Sequence, residues 1–169
     1  MCSHMLQQPL ESDPFASPIA AAVTTVAERS FYATVDQCDV DESGSQAPEW
    51  LVATVDFDNG LVAGSLVCSL PSTLAQTLFD AFTGRDPASP LPRPDQLTDL
   101  VGEFSNMVCG DWLSRHVDDR VFHLRPPAVV RAASPANGVS SRQWLKLNEQ
   151  PLAVDWHLSM IPATAGEGA

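Results

Sequence analysis

In the segment Asp99-Leu-Val-Gly-Glu103-Phe-Ser-Asn106-Met-Val-Cys-Gly110, two acids and an amide recur at intervals of four and three residues. At about 100° per residue, this spacing puts Asp99, Glu103, Asn106 and Gly110 on one narrow stripe of a helix. Leu97, Leu100, Val101, Phe104, Met107 and Val108 fall on the opposite face, the one a helix buries. The helix therefore offers solvent a carboxylate, which accepts hydrogen bonds. One turn on it offers a carboxamide, which both donates and accepts. Acids on an exposed helical face are ordinarily just solvated. Asparagine is the odd member, because it is a poor helix former that prefers caps, and lysine, glutamate or glutamine would serve a solvent face at lower cost. Gly102 and Gly110 lie near the stripe. Each costs about 1 kcal/mol against alanine inside a helix, which points to something that approaches the backbone closely.

The elements that must hold this helix are legible on either side. Asp13-Pro14 reads as a helix start, with aspartate as cap and proline at the first helical position. Phe15, Ile19, Val23 and Val26 follow at helical spacing. Residues 31–37 alternate apolar and polar and read as a strand. Residues 50–57 and 61–70 read as two strong strands around Asp58-Asn59-Gly60, a hairpin turn in which Asn-Gly tolerates positive φ at the central positions. A short helix runs from Pro71 and closes at Gly84. Pro87, Pro90, Pro92 and Pro94 make residues 85–94 a stiff connector. Asp95 then reads as the cap of the long helix, which runs to about His116. Residues 121–124 and 128–132 read as strands, separated by Pro126-Pro127, which no central ladder position accommodates. A final hairpin joins 144–147 to 152–159 around Asn148–Pro151. Antiparallel hairpins with helices grouped between them predict a two-layer α+β domain, mainly antiparallel sheet with helices on one face. The expected organisation is a disordered segment over 1–12, one domain over 13–161 and a flexible tail over 162–169.

Several chemistries are disfavoured. A net charge of −12 over 169 residues repels phosphate backbones and anionic surfaces, so neither nucleic acid nor membrane is an expected partner. No charged-then-apolar segment opens the sequence and no apolar run approaches a membrane span, which makes the cytoplasm the expected location. Cys2, Cys38, Cys68 and Cys109 form no C-x-x-C pair, and three of them sit among apolar residues as small hydrophobes. His4, His116, His123 and His157 are scattered, without zinc spacing. Asp39-x-Asp41-x-Ser43-Gly44 copies half of a calcium loop, but Trp50 occupies the twelfth position, where a bidentate glutamate belongs. No metal site is expected.

The motif Asp99-x-x-x-Glu103-x-x-Asn106, with Gly102 before the glutamate and Met107-Val-Cys-Gly110 after the asparagine, resembles the signature of the CheX/CheC/FliY chemotaxis phosphatases. Asp13-Pro14-Phe15, the run Gly64-Ser-Leu-Val-Cys-Ser-Leu-Pro71 and Arg125-Pro126-Pro127-Ala-Val-Val resemble other stretches of that family. One copy of the motif is similar to CheX rather than to two-site CheC. The chain departs from the pattern at Asp111, where asparagine often follows the glycine, and at Pro127, which lies closer to Asn106 than is usual. The resemblance implies a CheX-like fold and a substrate, a CheY-like response-regulator receiver domain phosphorylated on aspartate. It implies that Asn106 positions a water for in-line attack, much as glutamine does in GTPases, and that Glu103 pairs with the receiver's lysine. It further implies that Asp99 orients or caps that face, that Gly102 and Gly110 let the helix approach the receiver closely, and that Pro127 is the family's downstream proline. The chain needs no cofactor of its own, because Mg²⁺ comes with the receiver. A homodimer joined through sheet edges is expected. The alternatives are a non-catalytic adaptor of the same fold that binds a receiver or another signalling partner, and a structural role in a flagellar switch.

Overall fold

Leu51, Ala53, Val55 and Phe57 alternate with Trp50, Val52, Thr54 and Asp56, so the two sets lie on opposite faces of a strand. In the computed structural model, which describes residues 16–37, 47, 49–86, 88–116, 121–137 and 141–162, the first set is buried against the helices. The elements are α1 (Ala16–Phe31), β1 (Val35–Gln37), β2 (Trp50–Asp58), β3 (Val62–Pro71), α2 (Ser72–Thr83), α3 (Pro94–His116), β4 (His123–Leu124), β5 (Ala128–Ala132), β6 (Ser141–Leu147) and β7 (Gln150–Met160). The seven strands form one sheet in the order β1-β6-β7-β3-β2-β4, with β5 also on β2. Every described pairing is antiparallel. All three helices share one core with the inward sheet residues, including Ile19, Phe31, Leu66, Leu74, Val101, Phe104 and Trp112. This is the expected two-layer α+β arrangement. No helix among the described residues is long and apolar enough to cross a membrane.

Four local readings are corrected. Phe31 ends α1 and does not begin a strand; it is fully buried against Phe104, with ring centroids 5.4 Å apart. The chain then reverses through Tyr32 at φ 50°, and only Val35–Gln37 pair as a strand. In the Asn59-Gly60 turn only Gly60 has positive φ (83°). Asn59 instead closes the turn with its side chain, Oδ1 accepting from the N–H groups of Leu61 (3.0 Å) and Val62 (2.8 Å). A two-residue loop with both φ positive joins β6 to β7 through Asn148 (47°) and Glu149 (65°), the backbone signature of a type I′ turn. The strand read over 121–124 shortens to His123–Leu124. That β4 and β5 are successive pieces of one edge, broken at Pro126-Pro127, agrees with the ladder argument. Asp13-Pro14, the acidic calcium-like stretch and the termini lie outside the described residues.

The outer sheet face carries a smaller apolar cluster of Trp50, Val52 and Val67, with Trp144 and Ala136 packed on it. Asp155 lies fully buried on this face and accepts from Arg142 Nε at 2.6 Å. Arg142 also donates to the Ala136 carbonyl, and the Ala136 N–H donates to Ser69 Oγ at 3.2 Å, which fastens residues 134–137 to the sheet. Burial, offset in part by Arg142, holds the Asp155 carboxyl above the usual carboxylate range. The folded state therefore keeps this proton more tightly than the unfolded chain, and the contribution of Asp155 to stability falls as pH rises through the raised range. Arg142→Ala leaves a buried carboxylate without its cation. Because Arg142 is itself partly exposed, the loss falls below that of a fully buried pair, at about 2–3 kcal/mol at neutral pH, and it shrinks on acidification as Asp155 takes up a proton; urea unfolding across pH measures both.

Candidate functional site

α3 carries the stripe, and its start is set by residues 93–96. Pro94 occupies the first helical position, where a missing N–H costs nothing. The residue that closes this end is Gln96, whose Oε1 accepts from the Arg93 N–H at 2.9 Å, as in a capping box. Asp95, expected as the cap, sits in the first turn and pairs with Arg93 at 2.9 Å instead. Along the inward face Leu97, Leu100, Val101, Phe104, Val108 and Cys109 are buried, while Met107 is half-buried. The buried Ser105 hydroxyl donates to the Val101 carbonyl at 2.7 Å and so costs the core no unpaired polar group.

On the outward face Asp99 and Glu103 are exposed and Asn106 is half-buried. Among the described residues no hydrogen bond or ion pair engages these three side chains, and no amide atom of Asn106 is sealed from solvent. The acid and the amide thus stand side by side one turn apart, with their hydrogen-bonding capacity turned outward. The other expected site residues divide. Gly102 is buried, and a Cβ there would lie 3.2 Å from Pro127 Cγ and 3.5 Å from Val129 Cγ2. The close approach expected at Gly102 is therefore made by the chain's own edge strand, and it brings Pro127 to the turn that carries Glu103. Gly110 is half-buried, and a Cβ there would meet nothing within 4 Å.

Two grooves flank the stripe. One, of about 290 Å³ between α2 and α3, is walled by Phe79, Phe82 and Leu100 and rimmed by Asp99 and Glu103. The other, of about 400 Å³ between α1 and α3, reaches from Val26 and Arg29 to Met107 and Gly110. Phe82 was not evident as a surface residue from sequence. It stacks on Phe31 at 5.3 Å yet stays 52% exposed, because it sits at the margin of the apolar face set by Leu74, Ala75 and Leu78. Arg29 gave no signal either, since an arginine in the last turn of a helix is ordinarily read as matching the dipole.

The site offers no thiolate. Cys68 and Cys109 are buried in the core; burial pushes the Cys68 thiol up to about 12 and raises that of Cys109 as well. Both pack as small hydrophobes, as expected. Among the described residues no three His, Cys, Asp or Glu side chains converge as a metal site. The arrangement suits recognition by a carboxylate and orientation of a small polar molecule by a carboxamide.

The family described as chemotaxis phosphatase CheX matches residues 51–143, more than half of the chain and all of α3. No curated protein sequence matches. Among solved structures, the chain is similar to the chemotaxis protein CheX of Vibrio vulnificus, at TM-score 0.66 and 17% identity over 87% of this chain and 97% of that one. A CheX from Desulfovibrio desulfuricans gives TM-score 0.63 and 20% identity over 86% and 99%. CheX in a CheX–CheY–BeF3–Mg²⁺ complex from Borrelia burgdorferi gives 0.58 and 14% over 85% and 97%. At these identities the likeness speaks for the fold.

Proposed function

Because the chain belongs to the CheX chemotaxis phosphatase family, we propose that it hydrolyses the aspartyl phosphate of a CheY-like response-regulator receiver domain, with Asn106 holding the attacking water. The observation that carries this reading is the outward pair on α3: Glu103 exposed, Asn106 half-buried, and neither engaged by the described residues. The existence of a CheX–CheY–BeF3–Mg²⁺ complex from Borrelia burgdorferi supports a receiver as the partner.

The chemistry asks little of the chain. An acyl phosphate is already reactive, and the receiver brings Mg²⁺ and a lysine to its phosphoryl group. What it lacks is a water fixed in line with the phosphorus. A carboxamide can accept from that water and donate to it or to a phosphoryl oxygen. Converting a free water into a positioned one supplies several kcal/mol of the barrier without a covalent step. The water oxygen bonds to phosphorus, the bond from phosphorus to the aspartyl oxygen breaks, inorganic phosphate leaves with the water's protons, and the receiver keeps a free aspartate carboxylate. Glu103, one turn earlier, meets the receiver's lysine and fixes the register of α3 in the pocket. Asp99 continues the acidic rim. Gly102 and Pro127 act from behind, seating α3 on the sheet edge at the turn that bears Glu103. The chain brings no cofactor, and Mg²⁺ belongs to the receiver.

The test charges receiver domains of the source organism with acetyl phosphate and follows loss of phosphate. Acceleration in proportion to this protein is expected. Tight binding to a charged receiver without acceleration would instead establish the adaptor. The active form is a homodimer joined through a sheet edge. β5 lies at an edge and leaves Val130 59% exposed, and an open edge is a template for pairing. Light scattering behind gel filtration should give twice the chain mass, and a monomer at high concentration would refute the dimer.

A further inference from the structure

The two glycines of α3 differ in a way that their helical positions do not reveal. Gly102 is accounted for inside the fold, since Pro127 occupies the space a side chain would need. Gly110 is not. It is helical, its backbone needs no positive φ, and a Cβ on it would meet no atom within 4 Å. Alanine would favour the helix there, so the isolated chain gains nothing from glycine at this position. Gly110 lies one turn beyond Asn106 on the same stripe and opens into the groove of about 400 Å³ against α1. A partner that lies along the stripe from Glu103 past Asn106 meets Gly110 one turn further on.

The groove has a charge pattern as well. Of the charged residues that line it, Asp111 is neutralised by Arg115, whose Nε donates to it at 2.5 Å while Nη2 donates to Thr25 Oγ1 at 2.7 Å. Arg29, also on the groove, is exposed and forms no ion pair with any described residue. In a chain of net charge −12, a cation left open beside the site selects an anionic contact.

We infer that the notch at Gly110 seats a carboxylate-bearing loop of the phosphorylated receiver, with Arg29 pairing to its carboxylate. This rests on the receiver-phosphatase reading and adds to it a second contact, which would set affinity and partner choice and leave the hydrolytic step to Asn106. Gly110 and Arg29 are positioning residues in this scheme.

Three variants test it. Gly110→Ala should raise the thermal midpoint by about 2–4 °C, because helix propensity improves and no clash arises. A fall would mean that neighbouring side chains already use the space, and would overturn the inference. Gly110→Leu fills the notch and should weaken binding to a Mg²⁺- and beryllofluoride-loaded receiver at least about tenfold, raising KM far more than it lowers kcat. Arg29→Glu, at an exposed site where folding is safe, should weaken binding by a similar factor, with the loss shrinking at high salt. Asn106→Ala is run beside them. If it abolishes turnover while both Gly110→Leu and Arg29→Glu bind as the parent does, the notch carries no contact and the inference fails with the phosphatase reading intact. If the parent chain itself accelerates no receiver, the reading fails and the inference falls with it.

Discussion

Asn106→Ala is expected to lower the accelerated loss of phosphate from a charged receiver by about 10²-fold or more, to near the receiver's own rate. Removing one preorganised hydrogen-bonding group from a reacting centre typically costs 10²–10³ in turnover. Here the amide is the group assigned to the attacking water, and Gln96, the carboxamide further back on α3, is held at the helix start by the Arg93 N–H at 2.9 Å. The fold should not notice. Asn106 is half-buried and makes no side-chain hydrogen bond to the described residues, and alanine is the better helix former. The thermal midpoint should therefore stay level or rise slightly, and binding to a beryllofluoride-loaded receiver should persist. Phosphate release and binding measured on one preparation separate a lost water from a lost fold.

Glu103→Lys should act on the other half of the encounter. Glu103 is exposed, with no internal partner among the described residues, so the exchange costs the isolated chain little. In the complex it sets a cation against the receiver's lysine, and like charges juxtaposed in an interface cost several kcal/mol. Binding should weaken by about 30-fold or more, and turnover at low receiver concentration should fall with it. Glu103→Gln, which keeps the shape and loses the charge, should sit between the two. A rim charge of this kind acts partly through the association rate, so the gap between parent and variant should narrow at high salt.

The outward pair was legible because a helix converts spacing into direction. Four apolar side chains in the core, Leu100, Val101, Phe104 and Val108, leave Asp99 and Glu103 nowhere to point but outward. The sheet was legible for the same reason at period two, with Leu51, Ala53, Val55 and Phe57 all buried against the helices. Where local pattern met a distant partner, the distant partner decided. Phe31 alternates like a strand residue, yet the Phe104 ring across the core holds it in α1. Asn59-Gly60 carries the residues of a type I′ turn, but the Asn59 side chain takes up the Leu61 and Val62 N–H groups and sets another loop. Asn148-Glu149 adopts the I′ backbone without the usual glycine, with Asn148 tied to Thr34 through Oδ1 at 2.9 Å and its own N–H at 3.0 Å. The same holds for the glycines of the site. Both read alike in sequence, and only the fold shows that residue 102 faces Pro127, twenty-five positions on, while residue 110 faces open space. Asp155 gave no sign that it would be buried beneath the partly exposed Arg142, because nothing local tells an acid on a strand which face will be covered.

The most direct measurement is a crystal structure of this chain bound to a Mg²⁺- and beryllofluoride-loaded receiver. In it α3 should lie across the receiver's phosphorylation pocket. Glu103 should meet the lysine there, and the Asn106 amide should lie about 3 Å from a water in line with the beryllium. A receiver seated on another face, with Asn106 still open to bulk solvent, would contradict the receiver-phosphatase reading.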